Sequence, residues 1–391
     1  MFSTVFFLSF FKVINYWSFS QGHVNYFDGF LKRGLFGTII ISLEKISSVS
    51  TRKLFSFFFI ILTTVNIILF FIILKKYLNN YFLFIFLALN PTLIIFSFND
   101  LGGYQRFEAI SVFLILFHTY IVGTLKSKKN DNKYYRQILY FIILPVFSIS
   151  LFIHEGQAFS LLFHLFLTHR VLNKKMWDYS CYLILIILIV CVYLVPNNNS
   201  AILAIENFAN SRDLWVDAMY YAAGANLDIK GFFGDFSQNF LNFYNFKINF
   251  FFILLAIFPI IILFYYKIIL NNFSNIIILF LITSPYLLFF FIGDIGRWIS
   301  VMSFQVLGIF YQYVTASKAN KIFYTSSKIK LTGIAIVIFI LSFFIRMPHC
   351  CDLEKKNISI WGGISSKIFA FYKVLNKDNS SFYNINIRFK D

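Results

Sequence analysis

Long apolar runs, broken at short intervals by small charged loops, leave this chain few folds to choose from. A helix needs about 20 apolar residues to cross a bilayer. Runs of that kind lie near 2–19, 54–74, 81–98, 108–125, 137–153, 157–169, 179–195, 248–270, 275–293, 298–316 and 331–346. Only 13% of the 391 residues are charged and 59% are hydrophobic, where a soluble domain averages about 25% charged residues. One soluble core cannot hide that much apolar surface, so lipid is the solvent that fits. The expectation is an all-α, polytopic integral membrane protein of about eleven transmembrane helices. Residues 1–346 form its transmembrane domain. Residues 347–391, where Trp361, Phe369, Phe371 and Tyr372 mix with lysines, form an interfacial tail.

The loops set the orientation. Lys75 and Lys76, then Lys126, Lys128, Lys129, Lys133 and Arg136, then Arg170, Lys174 and Lys175 fall in every second loop. Lys267 continues the series, and Lys318, Lys321, Lys328 and Lys330 close it. Such loops belong on the cytoplasmic side. Of the 17 acidic residues, all but Asp131 and Asp178 fall on the other side. The net charge of +17 is thereby accounted for by loop placement, without nucleic acid as a partner. Met1–Phe19 has no basic leader and no small-residue cleavage signal, so it reads as a first span with a cytoplasmic N-terminus.

The longest intervening loop, about 196–247, is predicted to be periplasmic. It carries Glu206, Arg212, Asp213, Asp217, Asp228, Lys230 and Asp235 among aromatic residues. It is too apolar for a disordered linker, so amphipathic helices on the bilayer or a lid over a cavity are expected.

Short polar clusters mark the outer ends of the spans. Asp28-Gly-Phe-Leu-Lys-Arg33 offers Lys32 and Arg33 to an anion, beside glycines that permit close backbone approach. Asn99-Asp-Leu-Gly-Gly-Tyr-Gln-Arg-Phe-Glu108 places Asp100, Arg106 and Glu108 before a span, where free N–H groups favour an anion. His154-Glu155 sits between two apolar runs with almost no loop, a costly place for ionisable groups unless they are paired or wet. Gly293-Asp-Ile-Gly-Arg-Trp298 holds Asp294 and Arg297 three apart. Arg212, with Asp213 and Asp217, belongs to the long loop. Each cluster also has a bland reading, as a helix cap, a lipid-phosphate contact or a solvated loop. His118, His164 and His169 stand alone and read as structural.

No nucleotide loop, Walker motif, HExxH or prominent DxD is present. His349-Cys350-Cys351-Asp352 lacks a second ligand pair at zinc spacing, so no metal and no cofactor are expected. An outward-facing site has no nucleotide sugars to use, which implies a donor carried by a membrane lipid. A polyprenyl diphosphate needs arginines at the helix mouths and an apolar groove beneath, and Arg33, Arg106 and Arg297 have that depth. Donors there would stabilise the charge developing on a diphosphate leaving group. Asp28, His154, Glu155 and Asp294 are the candidates to activate an acceptor hydroxyl.

In this layout, and in the segments Asp28 to Gly37, Gly102 to Glu108, His154-Glu155 and Asp294 to Trp298, the chain resembles the O-antigen polymerases (Wzy-type) of Gram-negative polysaccharide clusters. The resemblance implies polymerisation of polyprenyl-diphosphate-linked oligosaccharide repeat units at the periplasmic face of the inner membrane, within lipopolysaccharide biosynthesis. It also implies a partner that regulates chain length. Two alternatives stand beside it: a glycosyltransferase using a polyprenyl-phosphate sugar, for which Asp28 would be the catalytic acid, and a lipid-linked oligosaccharide flippase.

Overall fold

The computed structural model describes residues 16–77, 81–96, 106–125, 132–172, 177–223, 243–265, 273–287 and 295–316. Every regular element among them is helical, with no strand. The helices are α1 (Tyr16–Gln21), α2 (Gly34–Ser47), α3 (Thr51–Leu74), α4 (Tyr81–Leu89) and α5 (Glu108–Leu125). They continue as α6 (Asn132–Ile138), a π-helical stretch (Leu139–Ile143), α7 (Leu144–Ile153), a 3-10 turn (Glu155–Ser160) and α8 (Leu161–Val171). The remainder are α9 (Trp177–Leu194), α10 (Asn199–Ser211), α11 (Val216–Ala223), α12 (Phe243–Tyr265), α13 (Phe273–Leu287) and α14 (Ile295–Ala316).

Thr51–Leu74, Glu108–Leu125 and Lys133–Ile153 are each long and apolar enough to cross a membrane. Ser180–Leu194 and Asn199–Ser211 qualify together as a fourth, bent by 72° at the break between them. α3 shows why: Phe57, Ile61, Ile68 and Ile72 line an exposed apolar face, while Phe55, Phe59, Asn66, Phe70 and Ile73 face the bundle. A helix with apolar residues on both faces is stable only when lipid covers one of them.

The centre of the bundle is α5 and α14. α5 packs on α3, α8 and α14, and α14 also packs on α12 and α13. α14 is buried from Gly296 to Val314. Its 22 residues give it the length of a span, but Arg297, Ser300, Ser303, Gln305 and Gln312 remove the apolarity. Protein on every side, not lipid, is what tolerates them. The two helices approach closely at Gly123, where a methyl group would run into the Tyr311 ring. Small residues serve that purpose in membrane bundles.

Proline breaks in these helices are each answered locally. Pro259 inside α12 cannot donate to the carbonyl of Leu255, and Asn90 Nδ2 donates to it instead at 3.0 Å. Pro285 inside α13 frees the carbonyl of Leu281, which the Ser284 hydroxyl caps at 3.0 Å. Pro145 lies in the first turn of α7, just past the π-helical stretch, where a missing N–H donor is best tolerated. The 81–98 run, expected as one span, is a helix of nine residues that ends before Asn90-Pro91. The residue before proline is driven out of the helical region, and Asn90 is then free to serve α12.

The long loop begins as helix, as expected. α10 buries Ala201, Ile205 and Ala209 at helical spacing and exposes its other faces. It packs on α11, which packs on α1. Residues 224–242 of that loop lie outside the described residues.

Candidate functional site

Three of the predicted clusters meet at one end of the central bundle. Glu108 opens α5, Arg297 lies in the first turn of α14, and His154 is the extended residue between α7 and the 3-10 turn. Arg297 Nη1 donates to Glu108 Oε1 at 2.9 Å. His154 Nε2 lies 3.5 Å from the same oxygen. Arg106, two residues upstream, acts on this carboxylate electrostatically. All four side chains are buried, with 5–8% of their surface exposed. Burying one carboxylate is costly unless it is paired. Here the Arg297 guanidinium bonds it directly and the Arg106 guanidinium adds its charge.

The local backbone fixes the imidazole. The Gly156 N–H donates to His154 Nδ1 at 3.1 Å, so that nitrogen must present its lone pair. In the neutral ring the hydrogen is therefore on Nε2, facing Glu108. Trp298 packs on His154 at 5.9 Å and on Phe159 at 5.9 Å. A methyl group on Gly156 would run into the Trp298 ring. Trp298 is itself buried and forms a wall of this cluster. Phe107 extends that wall to Phe36, Phe55 and Phe59.

A polar seam descends from the cluster between α5 on one side and, on the other, the 3-10 turn and the α8 helix that continues it. Ser111 Oγ donates to Gln157 Oε1 at 2.6 Å, across an offset of 46 residues. His118 Nδ1 and His164 Nδ1 meet at 2.8 Å across the same offset. Glu108 and His154 repeat it at the top of the seam. Paired positions advance together, so the two helices run parallel and in register. Ile115 and Leu161, which share the offset, are both buried apolar residues.

Below, the histidine pair belongs to a closed hydrogen-bond circuit. Tyr182 Oη must donate to the His164 carbonyl (3.1 Å), so Thr168 donates to Tyr182 (2.6 Å). Tyr135 then donates to Thr168 (2.9 Å), and His118 Nε2–H to Tyr135 (2.7 Å). His118 Nδ1 is left to accept from His164 Nδ1–H, which assigns opposite tautomers to the two stacked rings.

The other candidates sit elsewhere. Asp28, Lys32 and Arg33 belong to the segment that seats the α9–α10 bend. The Lys32 N–H donates to Asn197 Oδ1 (2.7 Å), Lys32 Nζ to the Tyr193 carbonyl (3.2 Å) and Ser200 Oγ to the Asp28 carbonyl (3.3 Å). Arg33 holds a left-handed backbone (φ 62°) just before α2. Arg212 pairs with Glu44 at 2.6 Å, fastening the end of α10 to α2. Burial pushes the Glu44 carboxyl up, but the Arg212 hydrogen bond, the Thr51 N–H and the Arg212 charge more than offset it and hold it below the usual range. Burial lowers the nearby His23 to about 4. Glu155 opens the 3-10 turn, but its side chain lies outside the described residues, as do Asp100 and Asp294. Among the described residues no cluster of three or more His, Cys, Asp or Glu could hold a metal ion.

Sequence reasoning missed Ser111 and Gln157 and set His118 and His164 aside. The available signal was spacing: 108, 111 and 118 on one apolar run and 154, 157 and 164 on another share one helical face and one offset. Comparison with known proteins finds no family model, no curated protein and no solved structure that matches this chain.

Proposed function

We propose that this protein is a membrane glycosyltransferase of the O-antigen polymerase type, joining polyprenyl-diphosphate-linked oligosaccharide units at the outer face of the inner membrane. The observation that carries the reading is the convergence of Arg106 and Arg297 on Glu108 at one end of an apolar bundle. Two guanidiniums at that depth suit a diphosphate whose lipid tail lies along the bundle. In the transfer, the acceptor hydroxyl gives its proton to Glu108 and its oxygen bonds to the sugar's anomeric carbon. The bond from that carbon to the diphosphate breaks, and the electron pair leaves on the diphosphate beside the arginines.

This assignment moves the base from His154 to Glu108. His154 has one ring nitrogen engaged by Gly156 and turns the other, as a donor, on the carboxylate. General-base help of this kind contributes about 10²–10⁴-fold. The wider topology belongs to the same proposal: about eleven spans, a cytoplasmic N-terminus, and the clusters facing the periplasm. A cysteine reagent confined to the cytoplasm should then react at Lys129→Cys and not at Asp228→Cys.

The deciding experiment is the lipopolysaccharide banding pattern of the source strain with this gene disrupted and then restored. A ladder that collapses to core plus a single repeat unit is the expected result. Loss of even the single unit would place the protein upstream, as a sugar transferase or flippase, and an unchanged ladder would remove it from this pathway.

A further inference from the structure

Two buried polar atoms on adjoining rungs of the α5–α8 seam have no hydrogen-bond partner among the described residues: Glu108 Oε2 and Gln157 Nε2. One is an acceptor and the other a donor. Glu108 Oε1 is engaged by Arg297 and faced by His154, leaving Oε2 as the available oxygen. Gln157 is fully buried (0% exposed), and its Oε1 is taken by the Ser111 hydroxyl. That bond turns the amide NH2 group away from Ser111 and fixes which end is left over. Buried polar groups are nearly always paired, and each exception calls for an explanation.

The chemistry of the pair narrows what can meet it. An anion is repelled by Glu108 Oε2, and a cation is repelled by the amide hydrogens of Gln157. A group that both donates and accepts matches this pair, and a hydroxyl is the simplest such group. We propose that Glu108 Oε2 and Gln157 Nε2 form the subsite for the acceptor sugar's hydroxyl, a refinement that rests on the glycosyl-transfer reading above. Gln157 donates to the hydroxyl oxygen and aims its remaining lone pair at the anomeric carbon. Glu108 Oε2 takes the hydroxyl proton as the new carbon–oxygen bond forms and the bond to the diphosphate breaks. The arginines hold the departing anion on the other side of Glu108, so donor and acceptor bind to chemically different parts of one cluster.

The test is the double variant Ser111→Ala/Gln157→Leu, which removes both members of the hydrogen bond and leaves no new unpaired group. It is scored by thermal midpoint of the purified full-length protein in detergent and by glycan banding after restoration to the disrupted strain. Buried polar groups kept for a ligand destabilise the empty protein, so the midpoint should equal or exceed that of the wild type. Elongation should fall by about tenfold or more, the effect of one lost hydrogen bond in the transition state. A lower midpoint would mean that Gln157 is a structural residue, or that water fills the gap, and overturns the subsite whatever the banding shows. Wild-type banding at an unchanged midpoint overturns it equally. If restoring the wild-type gene itself changes nothing, the transfer reading has failed, and the subsite falls with it.

Discussion

Replacing Arg297 with methionine tests the centre of the cluster most directly. Arg297 Nη1 and Glu108 Oε1 are 2.9 Å apart, with 9% and 6% of their side-chain surfaces exposed. Removing the guanidinium strands a buried carboxylate, which typically costs about 3–5 kcal/mol. Arg106 and the His154 Nε2–H remain nearby, which puts the expected loss at the lower end, about 3 kcal/mol. Glu108→Gln should cost a similar amount, because it takes the carboxylate away from the buried Arg297 guanidinium that it pairs with. In the double variant neither charge of the pair is stranded. Its loss should therefore fall short of the sum of the single losses by about 1–3 kcal/mol, the range seen for residues in direct contact. Thermal midpoints followed by tryptophan fluorescence in detergent give the cycle, and membrane abundance of each variant gives the control. Elongation should be absent in all three variants. Additive losses would refute the reasoning, because they would mean that the two side chains do not share a buried contact.

Three further outcomes follow from the same geometry. Gly156→Ala pushes a methyl group into the Trp298 ring and should displace His154, with loss of elongation that Trp298→Phe partly restores; full activity in the single variant would contradict the packing. Tyr135→Phe breaks the histidine circuit between His118 and Thr168 and should lower stability by about 1–3 kcal/mol, measured as a drop in thermal midpoint with banding unchanged. Acid should destabilise the protein in part through His23, whose folded value near 4 lies below the ordinary imidazole value of 6.5. The unfolded chain binds the proton more readily, so this contribution is fully present above pH 6.5 and is lost as pH falls towards 4. It amounts to about 3 kcal/mol. Glu44, also held low in the fold, acts in the same direction. His23→Phe should flatten the midpoint-versus-pH curve between pH 4 and 6.5; an unchanged slope would exclude His23 as a source.

Hydropathy alone determined the helical class and picked out helices able to cross a membrane, because an 18- to 24-residue apolar helix such as α3 or α5 satisfies its own backbone and needs apolar surroundings. It also picked out Arg106, Glu108, His154 and Arg297, since ionisable groups at the ends of apolar runs are too costly to be idle. Local sequence could not reveal that these residues meet. Glu108 and Arg297 are 189 positions apart, and only the packing of α14 against α5 brings them within hydrogen-bond distance. Burial of α14 was hidden for the same reason: its polar residues lower its hydropathy, and only the surrounding helices show that protein replaces lipid around it. Asp28 and Lys32 stand out by composition, and the tertiary structure adds that their backbone seats the α9–α10 bend, while Arg212 holds α10 against α2. Gln157 is the opposite case, unremarkable in sequence and conspicuous once buried. Periodicity sets which face of a helix is polar, but the register between α5 and the segment from His154 through α8 decides which polar groups find a partner within the fold.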